Sequence, residues 1–237
     1  MSAAIATDLR RLAGQLLMTG IPGTELDAAT AQYLQQHGIR AVCLRAANLR
    51  DAAQLTRLNA DLRRALGQQA LIAIDPAGMP PAYPAWLPQP PGAMDLCALG
   101  DAELANGTGA ATARGLRALG INWLLAPLIH LDTGAAQAPG AAQAFGGDPA
   151  QAVAMAQAWT AGCQAEGVAC CARLYLPQHG AAGQLPSVDK TRSQLEEHDF
   201  VPFRQAATQT ASMLSAHMVY PALDARQPAS PPACRTR

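Results

Sequence analysis

The stretch that most constrains the fold of this chain is residues 162–180, GCQAEGVACCARLYLPQHG. An Ala-rich helical run ends at Gly167, and residues 168–174 then form a short, mostly apolar segment of strand length. A polar turn bracketed by Pro177 and Gly180 follows directly. This order of helix, glycine, buried strand and polar loop is typical of β/α units, in which the strand ends face a functional site.

The same alternation runs along the rest of the chain. Strands are predicted at residues 15–20, 41–44, 71–74, 121–126, 168–174 and 212–217. Helices are predicted at residues 8–14, 27–37, 49–66, 104–119 and 193–207, and a further helix opens at residues 148–149. Residues 76–92 hold seven of the 18 prolines and are predicted to be a loop. Strands separated by helices predict a parallel α/β sheet, either an incomplete (β/α)8 barrel or a doubly wound sheet.

Composition and charge exclude several classes of function. No G-x-G-x-x-G follows any predicted strand, which weakens a dinucleotide-binding interpretation, and no cofactor is predicted. The formal net charge is zero, which argues against a nucleic-acid partner. No apolar run approaches 18 residues, so neither a membrane span nor a signal peptide is predicted, and we expect a cytoplasmic protein.

The six cysteines are predicted to be reduced core thiols, because they lie mostly in apolar segments without C-x-x-C spacing. Cys170 and Cys171 are adjacent in a predicted strand, so their side chains point to opposite faces. We therefore predict no metal site. Glu166, near a helix end, is predicted to be a solvated acid.

Several segments resemble the N-terminal domain of glycoside hydrolase family 3, most closely its bacterial β-N-acetylglucosaminidases. Residues 14–24, GQLLMTGIPGT, are similar to the family's G-Q-L-L-M-x-G-F-P-G-T, and residues 172–180, ARLYLPQHG, to its A-K-H-F-P-G-H-G. Residues 115–133, GLRALGINWLLAPLIHLDT, are similar to a third motif. The resemblance covers roughly residues 12–230. It implies an incomplete (β/α)8 TIM barrel with about six of eight strands over residues 1–224, followed by an irregular tail at 225–237.

The resemblance also implies a sugar site with several of its parts missing. Asp75, His179 and His217 match substrate-binding positions, although a loop-packing or structural role is the alternative for each histidine. Two arginines of the family's motifs are absent, and its Lys-His pair becomes Arg173-Leu174. No D-S-H acid/base segment follows Gly180, and no S-D-D nucleophile motif occurs. No catalytic residue is therefore assigned.

Three functions remain open at this stage. The first is a degenerate, catalytically inactive β-N-acetylhexosaminidase homologue, from a family that removes terminal N-acetylglucosamine from peptidoglycan fragments or similar glycans. The second is a residual binding module for an N-acetylglucosamine-type sugar. The third is an active retaining β-N-acetylhexosaminidase. Apolar strand edges near residues 16–20 and 212–217 also predict self-association, which no net charge opposes.

Overall fold

The computed structural model describes residues 3–76, 86, 90–129, 145, 148–173, 185–215 and 218–228. Several predicted features lie outside these residues, namely most of the proline-rich loop, His179, His217 and the chain beyond residue 228. The chain divides into two compact units. Unit 1 comprises Met1–Gln89, Ala111–Leu125 and Glu166–Val168, and unit 2 comprises Pro90–Ala110, Ala126–Ala165 and Ala169–Arg237.

Helices and strands alternate along most of the described chain. The α-helices are α1 (Ala3–Gly14), α2 (Ala28–Gln36), α3 (Ala52–Leu66), α4 (Ala93–Leu99), α5 (Ala102–Ala118), α6 (Pro149–Ala165), α7 (Arg192–Gln194) and α8 (Val201–Ala206). The strands are β1 (Met18–Thr19), β2 (Ala41–Leu44), β3 (Leu71–Ile74), β4 (Trp123–Leu124), β5 (Ala169–Arg173), β6 (Ser212–Leu214), β7 (Val219–Tyr220) and β8 (Asp224–Pro228). A 3-10 turn spans Ala46–Asn48, and a π-helical turn spans Leu195–Asp199.

Unit 1 is built on a parallel sheet in the order β1-β2-β3-β4. Strands β2 and β3 align from Ala41 beside Leu71 to Leu44 beside Ile74. Both strands are almost entirely buried, as their continuous apolar sequences predict. Leu55, Leu58, Leu62 and Leu66 of α3 are buried together, which confirms their predicted apolar spacing.

Local signals set the helix boundaries in unit 1. The carboxylates of Asp27 and Asp51 accept hydrogen bonds from the third N–H of α2 and α3, as N-caps do. Gly38 and Gly120 follow α2 and α5 with φ of +69° and +87°, a conformation that favours glycine.

The first strand is shorter than the sequence predicts. We predicted a buried strand over residues 15–20, but only Met18 and Thr19 form one. Leu16 and Leu17 are 87% and 56% exposed, because hydrogen bonds from their N–H groups to Ala13 and Gly14 continue the helical turn of α1 instead. An apolar run alone therefore did not distinguish the end of a helix from the start of a strand.

Unit 2 contains a parallel pair, β5 beside β6, and an antiparallel hairpin of β7 and β8. Strand β8 begins at Asp224, so residues 224–228 are ordered as a strand where the sequence predicts irregular chain from residue 225. Helix α4 was not predicted from the sequence, whereas α6 begins at Pro149 after Asp148, as predicted. The division into a barrel domain and a tail stays a prediction.

Two glycines in unit 2 allow the backbones of α5 and α6 to meet. A Cβ placed on Gly109 would lie 2.0 Å from the carbonyl oxygen of Trp159, and one placed on Gly162 would lie 2.0 Å from that of Asn106. The side-chain amide of Asn106 donates a hydrogen bond to the carbonyl of Ala158 at 3.1 Å. The two helices are therefore in direct backbone contact at this crossing, where no side chain larger than hydrogen fits.

Candidate functional site

In a parallel α/β sheet, functional groups collect at the carboxyl ends of the strands. In unit 1, Asp75 directly follows β3 and is half-buried. Its N–H donates to the carbonyl of Leu44 at 3.4 Å, which continues the β2–β3 ladder by one residue. The backbone of Asp75 therefore continues the pairing of β3 with β2, at the position after residues 71–74 given by the sequence.

The turns that flank this edge in unit 1 rest on a buried amide, Asn48, in the 3-10 turn after β2. Its side-chain oxygen accepts from the N–H of Arg45 at 2.9 Å, and its Nδ2 donates to the carbonyls of Ile21 and Gly23 at 3.0 and 2.6 Å. Asn48 is 2% exposed. One side chain thus joins the turn after β2 to the turn after β1.

A second buried amide, Gln54 on α3, extends this connection. Its Nε2 donates to the carbonyls of Thr24 and Asn48, at 2.5 and 3.1 Å, and its Oε1 accepts from the N–H of Arg50 at 3.0 Å. Sequence reasoning missed both amides. For Gln54 the available signal was a polar side chain on the buried face of a helix. For Asn48 it was a polar side chain in a short turn directly after a strand.

In unit 2, Arg173 ends β5 at the corresponding carboxyl edge. Its N–H donates to the carbonyl of Pro127 at 3.1 Å, and its carbonyl accepts from the N–H of Ile129 at 3.0 Å. The side chain is half-buried, and its Nε is enclosed by protein. Arg173 is thus a cation held at the end of a buried strand, and it was not among the residues predicted for the site.

Residues 185–190 of unit 2 are held against the β7–β8 hairpin. The N–H of Val188 donates to the carbonyl of Val219 at 2.9 Å, and the N–H of Val219 donates to that of Pro186 at 2.8 Å. Lys190, the chain's single lysine, reaches both carboxylate oxygens of Asp199 at 2.8 and 2.7 Å. Both partners are half-buried, so this ion pair is better shielded than most surface pairs.

The hairpin in turn closes a small apolar cluster. Leu195, Met218 and Tyr220 are buried together, and Val188 and Phe200 pack against them. Burial, with a smaller contribution from the Asp199 charge, raises the pKa of the Tyr220 phenol. The segment that re-enters the described chain at residue 185 is therefore anchored by backbone, charge and apolar contacts.

Of the three residues predicted to bind substrate, only Asp75 is described; His179 and His217 are outside the described residues. Glu166 was predicted to be a solvated acid; in unit 1 its side chain is 32% exposed and forms a surface ion pair with Arg114 at 2.9 Å. Across the described ranges, no group of three or more His, Cys, Asp or Glu side chains is arranged to hold a metal ion.

The chain was compared with known protein families, curated sequences and solved structures. The family model described as the glycosyl hydrolase family 3 N terminal domain matches residues 8–235. The chain belongs to this family. A β-hexosaminidase from Thiobacillus denitrificans is 31% identical over 234 residues, which cover 90% of this chain and 62% of the relative. This family 3 chain thus spans less than two thirds of the length of that curated relative.

Solved structures of family 3 enzymes share its fold. A β-N-acetylglucosaminidase from Paenibacillus is similar with a TM-score of 0.79 and 28% identity, over 93% of this chain and 44% of that protein. NagZ from Neisseria gonorrhoeae, solved with N-trifluoroacetyl-D-glucosamine, is similar with a TM-score of 0.77 and 25% identity, over 90% of this chain and 66% of that protein. These similarities confirm the predicted family and the predicted incomplete α/β barrel. None of the helices that the structure describes is long and apolar enough to cross a membrane.

Proposed function

We propose that this chain is a family 3 β-hexosaminidase homologue that does not itself hydrolyse a glycosidic bond. Retaining glycosidases need two carboxyl groups, one as nucleophile and one as acid/base. Of the six residues that directly follow β1 to β6, only Asp75 carries a carboxylate. Between Gly180 and Val188, where the resemblance would put the acid/base segment, the sequence contains no acid. The proposal rests on this sequence observation, that neither the other strand ends nor residues 181–187 supply a second carboxylate.

The experiment is hydrolysis of a chromogenic N-acetyl-β-glucosaminide by the purified chain. We expect no turnover above the uncatalysed rate, because general acid and nucleophilic assistance are both missing. Turnover that is lost in Asp75→Ala but kept in Asp8→Ala, which changes an exposed acid on α1, would show that the chain itself is an active hydrolase. A contaminating hydrolase would be indifferent to both substitutions.

Residual sugar binding is the second candidate, and Arg173 of unit 2 favours it. Arg173 occupies the position of the Lys in the family's A-K-H-F-P-G-H-G segment, so a cation is kept there. A guanidinium and a carboxylate are the groups that form strong hydrogen bonds to hydroxyl and acetamido oxygens. Calorimetry with N-acetylglucosamine tests this candidate. Saturable heat that disappears in Arg173→Ala would establish it, and the absence of heat would leave an inactive homologue without sugar affinity.

We also propose that copies of the chain associate through exposed apolar side chains beside β1. Leu12 on α1 is 57% exposed, and Leu16 and Leu17 after it are exposed as well. Among the described residues, β1 pairs with β2 alone, so its other edge offers free backbone groups. Light scattering after size exclusion should show a dimer or larger species that Leu16→Lys reduces and Leu99→Lys, a change at an exposed leucine of unit 2, leaves alone. A monodisperse monomer would rule this proposal out.

We also propose that the chain is located in the cytoplasm.

A further inference from the structure

Two buried thiols in unit 2 have no part in the proposed function. Cys163 lies in the last turns of α6, and Cys170 is the second residue of β5. Both are fully buried, and their side chains share a hydrogen bond. The two elements are joined by a short turn at Gly167, which has a φ of +80°. The chain thus holds two sulfur atoms in contact across a tight helix-to-strand connection.

The neighbouring thiol, Cys171, is not equivalent. It is also buried, but it follows Cys170 directly in β5 and therefore points to the opposite face of the strand. The hydroxyls of Thr210 and Ser212 donate to the Cys170 carbonyl at 3.0 and 3.1 Å, which fixes the backbone there. The geometry thus selects Cys170, and not Cys171, as the partner of Cys163.

Burial determines when this pair can react. Its hydrogen bond with Cys163, together with burial, raises the pKa of the Cys170 thiol, so little thiolate exists in the folded chain at neutral pH. Thiol–disulfide exchange requires the thiolate and access to it. Reaction is therefore slow in the folded state and fast while α6 and β5 are apart, during folding or transient opening.

We propose that Cys163 and Cys170 form a disulfide when the chain folds in the presence of a small disulfide oxidant such as glutathione disulfide. One cysteine thiolate attacks a sulfur of glutathione disulfide and releases one glutathione thiolate. The second cysteine then attacks the protein sulfur of the mixed disulfide and releases the second glutathione. The two protein thiols lose two electrons and two protons, and one glutathione disulfide becomes two glutathione thiols. The bond links α6 to β5 and records the redox conditions under which the chain folded.

The test is refolding of the full chain from urea, with glutathione disulfide or with a reductant, followed by alkylation and intact-mass measurement. We expect a mass loss of about 2 Da relative to the reduced chain, after correction for alkylation. Cleavage after Glu166, which lies between the two cysteines, should leave their peptides joined. The cross-linked chain should melt higher by a few degrees, roughly 5 °C, because an eight-residue loop is closed. A reductant should break the bond in urea and not in buffer.

Matched variants identify the partner. Cys171→Ala should keep the joined peptides and the higher melting temperature, whereas Cys163→Ala and Cys170→Ala should each lose both. The proposal is overturned if the peptides stay separate after oxidative refolding, or if Cys170→Ala still forms the link through Cys171. Should either alanine variant fail to fold, the peptide map of the wild-type chain and of Cys171→Ala decides between these outcomes without it.

Discussion

The crossing of α5 and α6 offers the sharpest test of how this fold is packed. Gly162→Ala would place a methyl group 2.0 Å from the Asn106 carbonyl oxygen and 3.1 Å from the Ala110 nitrogen. Contacts of a Cβ shorter than 3.0 Å are essentially never seen, so the helices must separate by about 1 Å. The obstructing atoms belong to backbone, so no side-chain rotation relieves the clash. The displacement would also weaken the hydrogen bond from Asn106 to Ala158.

Two free-energy terms of opposite sign determine how much Gly162→Ala changes the stability of the chain. Overpacking a close contact costs about 1 to 3 kcal/mol. Replacing a glycine inside a helix by alanine returns up to about 1 kcal/mol, because alanine has the higher helix propensity. With the full helix-propensity gain subtracted, we expect Gly162→Ala to destabilise the chain by up to about 2 kcal/mol, or a fall of up to roughly 8 °C in Tm for a chain of this size.

The matched control is Gly107→Ala, on the same helix as Gly109 but exposed, with nothing within 4 Å of its added Cβ. This substitution has only the helix-propensity gain, so it should raise the Tm slightly. Urea titration and thermal melting monitored by circular dichroism would measure both variants. Equal stability of Gly162→Ala and Gly107→Ala would refute the backbone-contact argument. The double variant Gly109→Ala/Gly162→Ala should cost less than the sum of its parts, because one separation of the helices relieves both clashes.

Three further predictions concern polar groups. Asn48→Leu should lower the free energy of unfolding by about 2 to 4 kcal/mol in urea titration, because it leaves one N–H and two carbonyls without their hydrogen-bond partner. The control Gln35→Leu removes one exposed hydrogen bond and should change the free energy of unfolding by less than about 0.5 kcal/mol. Hydrogen bonds from the Thr30 hydroxyl and N–H lower the pKa of Asp27, so the ionised carboxylate stabilises the fold above the usual pKa of 3.8 and this stabilisation is lost as the pH falls further. The difference in Tm between wild type and Asp27→Asn should therefore shrink in acid, and a constant difference would contradict this. Because the pKa of Tyr220 is raised, the neutral phenol contributes its full stabilisation below pH 10, and this stabilisation is lost as the pH rises through the pKa of the folded state. In thermal melts, raising the pH into this range should therefore lower the Tm of the wild type more than that of Tyr220→Phe.

Strands and helix ends in the interior of the fold could be predicted from the sequence. Residues 41–44 and 71–74 are strands with the predicted boundaries, because a fully apolar segment between helices has no alternative to burial in a parallel sheet. Gly38 and Gly120 end their helices as expected, since both adopt positive φ. These signals are local, and each depends on one or two residues.

The predictions that failed involved either a local turn with no sequence signal or contacts between distant residues. Leu16 and Leu17 read as a buried strand, yet the turn after α1 leaves them exposed, and the sequence carries no mark of that turn. Nothing near Glu166 in the sequence indicates its ion pair with Arg114, 52 residues away. The position of Asp75 directly after a strand could be predicted, because residues 71–74 form an unambiguous strand; its role in a site stays a prediction. Asn48 and Gln54 could not be predicted, because their Nδ2 and Nε2 groups donate to carbonyls of residues 21–24, in the separate loop after β1.

The Lys190–Asp199 ion pair has a practical consequence. Apart from the chain's amino terminus, Lys190 is the only primary amine in the sequence. Amine-specific acylating reagents must reach the nitrogen, which both carboxylate oxygens of Asp199 contact at 2.7 and 2.8 Å. The acylation rate at this one position therefore reports how often residues 185–190 separate from the π-helical turn. A chain with seventeen cations and one lysine thus carries its own single-site reporter of local opening.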